Sequence, residues 1–386
     1  MRQYFFLCLV VLITLLSNSC ANKNNTPAAN ATTPEPTPQE LNAIRGVWIP
    51  NVQHTNVLLS KDNIDRWLTD LKQMGFNSVF VVVWTGGRTL YPSKVMKDLI
   101  GIEIDERVKG RDPLQEMVEI GKTKGIKVFA WFEYGFAAEN SGVGKEILLK
   151  KPNWAAIGRD GNPVVKNGFK WLNSLDTEVQ EFMLSLLMEV VENYDLAGIQ
   201  GDDRLPAMPT EAGYDKATVA LYQKENNNQS PPDNTKDAQW VTWRANLLNK
   251  FMEKMYKETK KRKPNMQVIM SPSIFPFSRD EYLQDWITWV KNGWVDAVSP
   301  QIYRYNIEQY AAELNKITTQ QLTREQVKLV YPGVLFSLGK TYQIAPDLLE
   351  KMVNENRRQG IIGEVFFYNE GVVQQKAMFE KFYLKK

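Results

Sequence analysis

An acidic pair followed by an arginine, Asp202-Asp203-Arg204, closes the run Gly198-Ile199-Gln200-Gly201. Adjacent carboxylates serve proton transfer, nucleophilic attack or the binding of a divalent cation through oxygen. If Gly198–Asp202 is a strand whose Ile199 faces helices, alternation turns Gln200 and Asp202 to the inner face. Asp203 and Arg204 then open the following loop. Packing explains such a pair poorly; a structural ion pair or a loop cap is the alternative. A third carboxylate, Glu133, ends the apolar run Val128-Phe129-Ala130-Trp131-Phe132. Aromatic surroundings raise a carboxyl pKa and suit a general acid, against the alternative of a rim residue bonded to a backbone amide. Glycoside hydrolysis asks for two carboxyl groups, one to protonate the leaving oxygen and one to attack or activate water. Glu370, after Phe366-Phe367-Tyr368-Asn369, is a further candidate for the second.

Other side chains fall at equivalent positions, just past apolar runs. These are His54, Trp84, Arg88, Ser271, Ser273, Gln301, Tyr303 and Arg304. Sugars offer apolar faces to aromatic rings and hydroxyls to amides and guanidinium groups. Trp84, Gln301 and Tyr303 therefore read as walls of a sugar site, and His54 as a hydroxyl contact. With Arg88, Arg204, Arg304 and Glu370 they make up the expected substrate-binding set. Each alone is more often structural. Composition removes competitors: the chain has 1 His and 2 Cys in 386 residues. Any Ser-His-Asp triad would rest on His54, and His-rich or thiolate zinc sites are excluded. A net charge of +3 without a basic stripe gives no sign of nucleic acid as a partner. No cofactor and no metal are expected. Divalent-cation binding by Asp202 and Asp203 stands as a separate alternative.

These residues must be positioned by something. Strand-like runs occur at Gly46–Pro50, Ser78–Trp84, Lys127–Glu133, Gly198–Asp202, Gln267–Ser271, Ala297–Gln301, Lys328–Val334 and Gly363–Phe367. Between them lie helical periodicities, such as Ile64, Trp67/Leu68, Leu71 and Met74; Val179, Phe182, Leu186 and Val190; and Trp240, Trp243, Leu247, Phe251 and Met255. Eight strand–helix alternations predict an α/β chain folded as one (β/α)8 TIM barrel over residues 43–386. Helix-to-strand turns are short, whereas Thr85–Arg111, Tyr134–Asp176 and Asp203–Gln239 are long strand-to-helix connections. In a barrel these emerge together on the C-terminal face, where active sites are built.

The N-terminus reads differently. An apolar run from Tyr4 to Leu16 has the length of a signal-peptide core and closes on Ser17-Asn18-Ser19-Cys20. Residues 1–19 are expected to be a lipoprotein signal peptide, with Cys20 as the lipidated residue. Residues 20–42, rich in Asn, Thr, Pro and Ala, form a tether too polar to fold. The expected location is the cell envelope, lipid-anchored at an outer membrane or cell surface.

Arg45-Gly46-Val47-Trp48, the Gly198–Asp203 run, Trp243-Arg244-Ala245-Asn246, Ser271-Pro272, Pro300-Gln301-Ile302-Tyr303, Tyr331-Pro332-Gly333 and Gly363-Glu364-Val365-Phe366-Phe367 stand in series. Together they resemble the glycosyl hydrolase-like 10 family, from about Ile44 to Phe382. The resemblance implies a (β/α)8 barrel hydrolysing glycosidic bonds of a polysaccharide, with peptidoglycan glycan strands as a target. It places the family's acidic pair on Asp202 and Asp203. The chain departs from the family pattern at Gly201, often aromatic; at Arg204, often His or Tyr; and at Glu133, where some members carry Asn. The alternative in a different class is a glycan-binding lipoprotein without turnover, which an Arg204 locked onto Asp203 would favour.

Overall fold

A computed structural model describes residues 43–384; the signal-like run, Cys20 and the tether lie outside the described residues. The frame is a parallel sheet of nine strands: β1 (Arg45–Ile49), β2 (Ser78–Val82), β3 (Lys127–Phe132), β4 (Gly198–Gly201), β5 (Gln267–Met270), β6 (Ala297–Val298), β7 (Gln301–Ile302), β8 (Gly333–Leu335) and β9 (Glu364–Phe367). Their order is β6-β5-β4-β3-β2-β1-β9-β8-β7, so the sheet curls until its two ends belong to one stretch of chain. Every β2 residue is buried, as expected of a parallel strand covered on both faces.

The expected strands Ala297–Gln301 and Lys328–Val334 are both interrupted. The first is split at Ser299-Pro300 into β6 and β7, and the second contributes only Gly333–Leu335, directly after Pro332. Proline has no N–H to donate to a ladder, which accounts for both breaks. The edges still meet: Val298 N donates to Leu329 O at 2.8 Å, and Tyr331 N donates to Val298 O at 2.9 Å.

The interior of the curl is filled by large side chains. Phe80 of β2 stacks on Phe129 of β3 at 4.7 Å, and Trp48 of β1 lies 5.8 Å from Phe80. Trp48 Nε1 donates to Gln200 Oε1 of β4 at 2.6 Å, across two intervening strands. Gln200 thus points inward, as alternation from Ile199 predicts.

Helices cover the outside. They include α1 (Lys61–Gln73), α2 (Pro113–Lys124), α3 (Thr177–Asn193) and α4 (Ala238–Arg262), each started by a side-chain cap from Ser60, Asp112, Asp176 and Asp237 respectively. The expected stripe of α3 is buried throughout. In α4 the buried line differs. Trp243 and Leu247 are only half-buried, and Arg244, Leu248 and Met252 take the inner face with Trp240, Phe251 and Met255. Arg244 has a reason to be inside: its guanidinium lies over the Trp240 ring and donates to the carbonyls of Thr210, Ala212 and Thr235. It staples the long connection after β4 to the helix that follows.

The other two long connections carry structure of their own. One holds the hairpin Trp84–Thr85 with Arg88–Thr89 and the helix Lys94–Ile100; the other holds the small sheet of Ala137–Asn140, Phe169–Trp171 and Val165–Lys166. Among the described residues no helix is long and apolar enough to cross a membrane.

Candidate active site

Register brings the carboxylates together. Phe132 pairs with Gly201 and Gly201 with Met270, so Glu133, Asp202 and Ser271 sit side by side, one residue beyond the ends of β3, β4 and β5. They border a cavity of about 180 Å³ that Asp203, Arg204, Gln301 and Tyr303 also line. Its remaining walls are the rings of Trp48, Trp131 and Phe367, with Tyr303 stacked on Phe367 at 5.2 Å.

Arg204 organises the acids. Its Nη1 lies 3.2 Å from Asp202 Oδ2, 3.2 Å from Asp203 Oδ1, and donates to Glu133 O at 3.0 Å. Its backbone N–H donates to Asp202 Oδ1 at 3.0 Å. The guanidinium is itself seated over Tyr134 at 5.5 Å and Phe169 at 5.1 Å, so a strand of the small sheet supports the acid cluster. Close backbone approach is needed here. A Cβ on Gly135, which has φ +48°, would stand 2.2 Å from Arg204 O. At Gly201 it would stand 2.7 Å from Leu205 O, so this loop leaves no room for a side chain there.

One guanidinium stands among three carboxyl groups, and burial penalises the charged forms of Glu133 and Asp202. Glu133 is pushed up to about 7, chiefly by burial; Arg204 and a hydrogen bond from Thr85 oppose the rise and Asp203 adds to it. Asp202 is raised well above the usual carboxylate range by burial, then by Asp203, against the pull of Arg204. Tyr303 is raised as well, by burial and then by the two aspartates, so its hydroxyl stays a hydrogen-bond donor. Near neutral pH Glu133 and Asp202 are therefore held toward their protonated forms, beside a third and less buried carboxyl group, Asp203. That combination supports acid–base and nucleophilic chemistry at a single centre.

Of the expected site residues, Glu133, Asp202, Asp203, Arg204, Gln301 and Tyr303 share this cavity. Gln301 donates from Nε2 to Ser271 O at 3.0 Å, which orients its amide. The others lie elsewhere. Trp84 is fully buried, with Nε1 on Gly135 O at 2.8 Å and its ring edge-on to Phe182; it is a core residue and not a wall of the site. Arg88 pairs with Glu146 at 2.8 Å, and Arg304 with Glu313 at 3.3 Å. His54 and Glu370 line a separate cavity of about 400 Å³ with Trp67 and Asn369, and Glu370 accepts from Tyr368 Oη at 2.9 Å. Among the described residues no three His, Cys, Asp or Glu side chains gather as a metal site. Reasoning from sequence missed Thr85, Tyr134 and Phe169, which touch the acids or the arginine. Only their places in the long connections hinted at a role.

Comparison with known proteins bears on what this centre is. Residues 43–361 match the glycosyl hydrolase-like 10 family. The chain belongs to that family. Among curated relatives, glycosyl hydrolase DigH of Escherichia coli O6:H1 is 26% identical, over 98% of this chain and 93% of that protein. Glycosyl hydrolase YngK of Bacillus subtilis strain 168 is 24% identical, over 67% of this chain and 54% of that protein. Among solved structures, the PgaB (BpsB) glycoside hydrolase domain from Bordetella bronchiseptica superposes with a TM-score of 0.68 at 14% identity, covering 89% of this chain and 100% of that one. The catalytic domain of a β-amylase from Paenibacillus polymyxa gives 0.59 at 10% identity, covering 88% and 97%. At such identities the two structures speak to the fold alone. The family member described here shares that fold, an α/β parallel sheet curled within helices.

Proposed function

We propose that this protein is a glycosidase that cleaves an extracytoplasmic polysaccharide, peptidoglycan glycan strands among its targets, at the C-terminal mouth of a (β/α)8 barrel. One observation carries the reading: Glu133, Asp202 and Asp203 line one cavity walled by aromatic rings, with Arg204 bridging the two aspartates. Glu133 is the general acid. Its burial keeps the proton on near neutrality, and it gives that proton to the leaving glycosidic oxygen. Asp202 and Asp203, both bound by Arg204, supply the second carboxyl group that faces the developing oxocarbenium ion, by attack or through a water. Tyr303 and Phe367, the partly exposed rings of the cavity, offer faces to the sugar, and Gln301 offers its amide carbonyl to a hydroxyl. The signal run of residues 1–19, lipidated Cys20 and the tether to residue 42 would hold the barrel at an envelope surface.

The test is release of reducing ends from peptide-free glycan strands and a panel of polysaccharides. Wild type should act, and Glu133→Gln and Asp202→Asn should lose about 100-fold or more in kcat. A second reading is favoured by the same arginine. With Arg204 at 3.2 Å from both aspartates, the pair is engaged in a structural contact, as in a barrel that binds glycan without cutting it. Binding by wild type with no turnover, unchanged in Asp202→Asn, would decide for it.

A further inference from the structure

Behind Glu133 runs a chain of hydrogen bonds whose direction can be worked out atom by atom. Gln53 N–H donates to Asn51 Oδ1 at 2.9 Å, which fixes the amide so that its nitrogen faces the other way. Asn51 Nδ2 then donates to Thr85 Oγ1 at 3.4 Å. An amide nitrogen has no lone pair to accept with, so the single proton of the Thr85 hydroxyl must go elsewhere. It points at Glu133 Oε2, 2.9 Å away, with the Tyr134 hydroxyl as the other polar neighbour of Thr85. Asn51 and Thr85 are both buried, so this is a held arrangement and not a surface contact. Each comes from a different connection, after β1 and after β2, and they meet at the carboxyl group that ends β3.

We propose that Thr85, oriented by Asn51, is a positioning residue that reserves Glu133 Oε2 as an acceptor and so confines the catalytic proton to Oε1. The inference rests on Glu133 being the acid of the preceding section. In the protonated acid Oε2 is the carbonyl oxygen and Oε1 carries the hydroxyl; in the ionised form Oε2 still accepts from Thr85. The same bond favours the anion, since a donor stabilises a carboxylate more than a neutral acid. The other groups facing Glu133 are Arg204, which pulls its pKa down, and Asp203, which pushes it up. Asp202 shares Arg204 with them, and Tyr134 and Tyr303 stand close enough to feel the Glu133 charge. Thr85 carries no charge, so replacing it leaves the charges around Glu133 unaltered in number and tests the hydrogen bond.

The experiment is an infrared titration of the Glu133 carboxyl, taken as the difference between each protein and the same protein carrying Glu133→Gln. It needs no turnover and therefore stands even where glycosidase activity fails. In Thr85→Val, close in shape to the original, the midpoint should rise by about one from its wild-type position near 7, and the alkaline limb of kcat should move with it. Thr85→Ser restores a hydroxyl and should restore both. Asn51→Leu frees the Thr85 proton to rotate and should give an intermediate midpoint. A midpoint unchanged or lowered in Thr85→Val overturns the proposal, as does a Thr85→Ser protein that behaves like Thr85→Val. A shifted midpoint without any effect on the kcat limb would keep the hydrogen bond but overturn its place in catalysis. If wild type releases no reducing ends while the midpoint shifts as described, the glycosidase reading fails and the Thr85 bond survives.

Discussion

Glu133 carries a half-buried carboxyl group whose proton is held up to about 7 in the fold, against an ordinary value of 4.5. As general acid it must be protonated, so activity should fall as pH rises through about 7. Glu133→Gln should cost about 10²–10⁴-fold on native glycans, and less on aryl glycosides whose leaving groups need no proton. Linkage gives a second, independent outcome. Between pH 4.5 and about 7 the folded state binds the Glu133 proton and the unfolded chain does not, so stability falls as pH rises through that window. Glu133→Gln removes this penalty. Denaturant melts should show the variant more stable than wild type at pH 8, by about 2 kcal/mol, and the difference should shrink toward pH 5. Some of this centre was readable beforehand. Alternation from Ile199 placed Gln200 and Asp202 inward, and the strand-end position of Glu133 put it beside them. Trp84 was misjudged because Gly86-Gly87 turns its segment into a hairpin, carrying the ring down onto Phe182. Thr85 offered only its place at the start of a long connection, since a lone threonine carries no pattern.

At the scale of elements, the acids are only as well placed as the long connections that carry them. The one after β4 is pinned by Arg244, whose guanidinium reaches three of its backbone carbonyls from inside α4, with no carboxylate partner among the described residues. Burial pulls that guanidinium down to about 9, a measure of how reluctantly a charge sits there. Arg244→Met fills similar space but strands the carbonyls. It should cost about 2–4 kcal/mol in chemical denaturation. It should also lower kcat, because the connection it staples begins at Asp203. Equal stability with full activity would show that the staple is dispensable. The helical period of α4 was legible, but its phase was not. Trp243 and Leu247 look like core by type, yet the inner face goes to an arginine because loop carbonyls needing donors lie there. Likewise Pro300 and Pro332 explain after the fact why two expected strands are broken, whereas apolar content alone suggested that they ran through.

For the molecule as a whole, strand–helix alternation and loop asymmetry carried most of the architecture, since parallel strands buried on both faces leave continuous apolar runs that sequence cannot hide. Substrate identity was less legible: it depends on which rings and amides line one cavity of about 180 Å³, and that is set by tertiary approach. Residues 1–42 lie outside the described structure, and their proposed role is tested in cells. Cys20→Ala should abolish metabolic labelling with palmitate and move the protein from the membrane fraction to the soluble one. Unchanged fractionation would remove the lipid anchor from the account. The central claim is tested most directly by reducing-end release from peptide-free glycan strands, with wild type, Glu133→Gln and Asp202→Asn side by side. The account predicts release by wild type and losses of about 100-fold or more in each variant, with glycan binding retained. No release by wild type from any glycan, or full release by both variants, would contradict it.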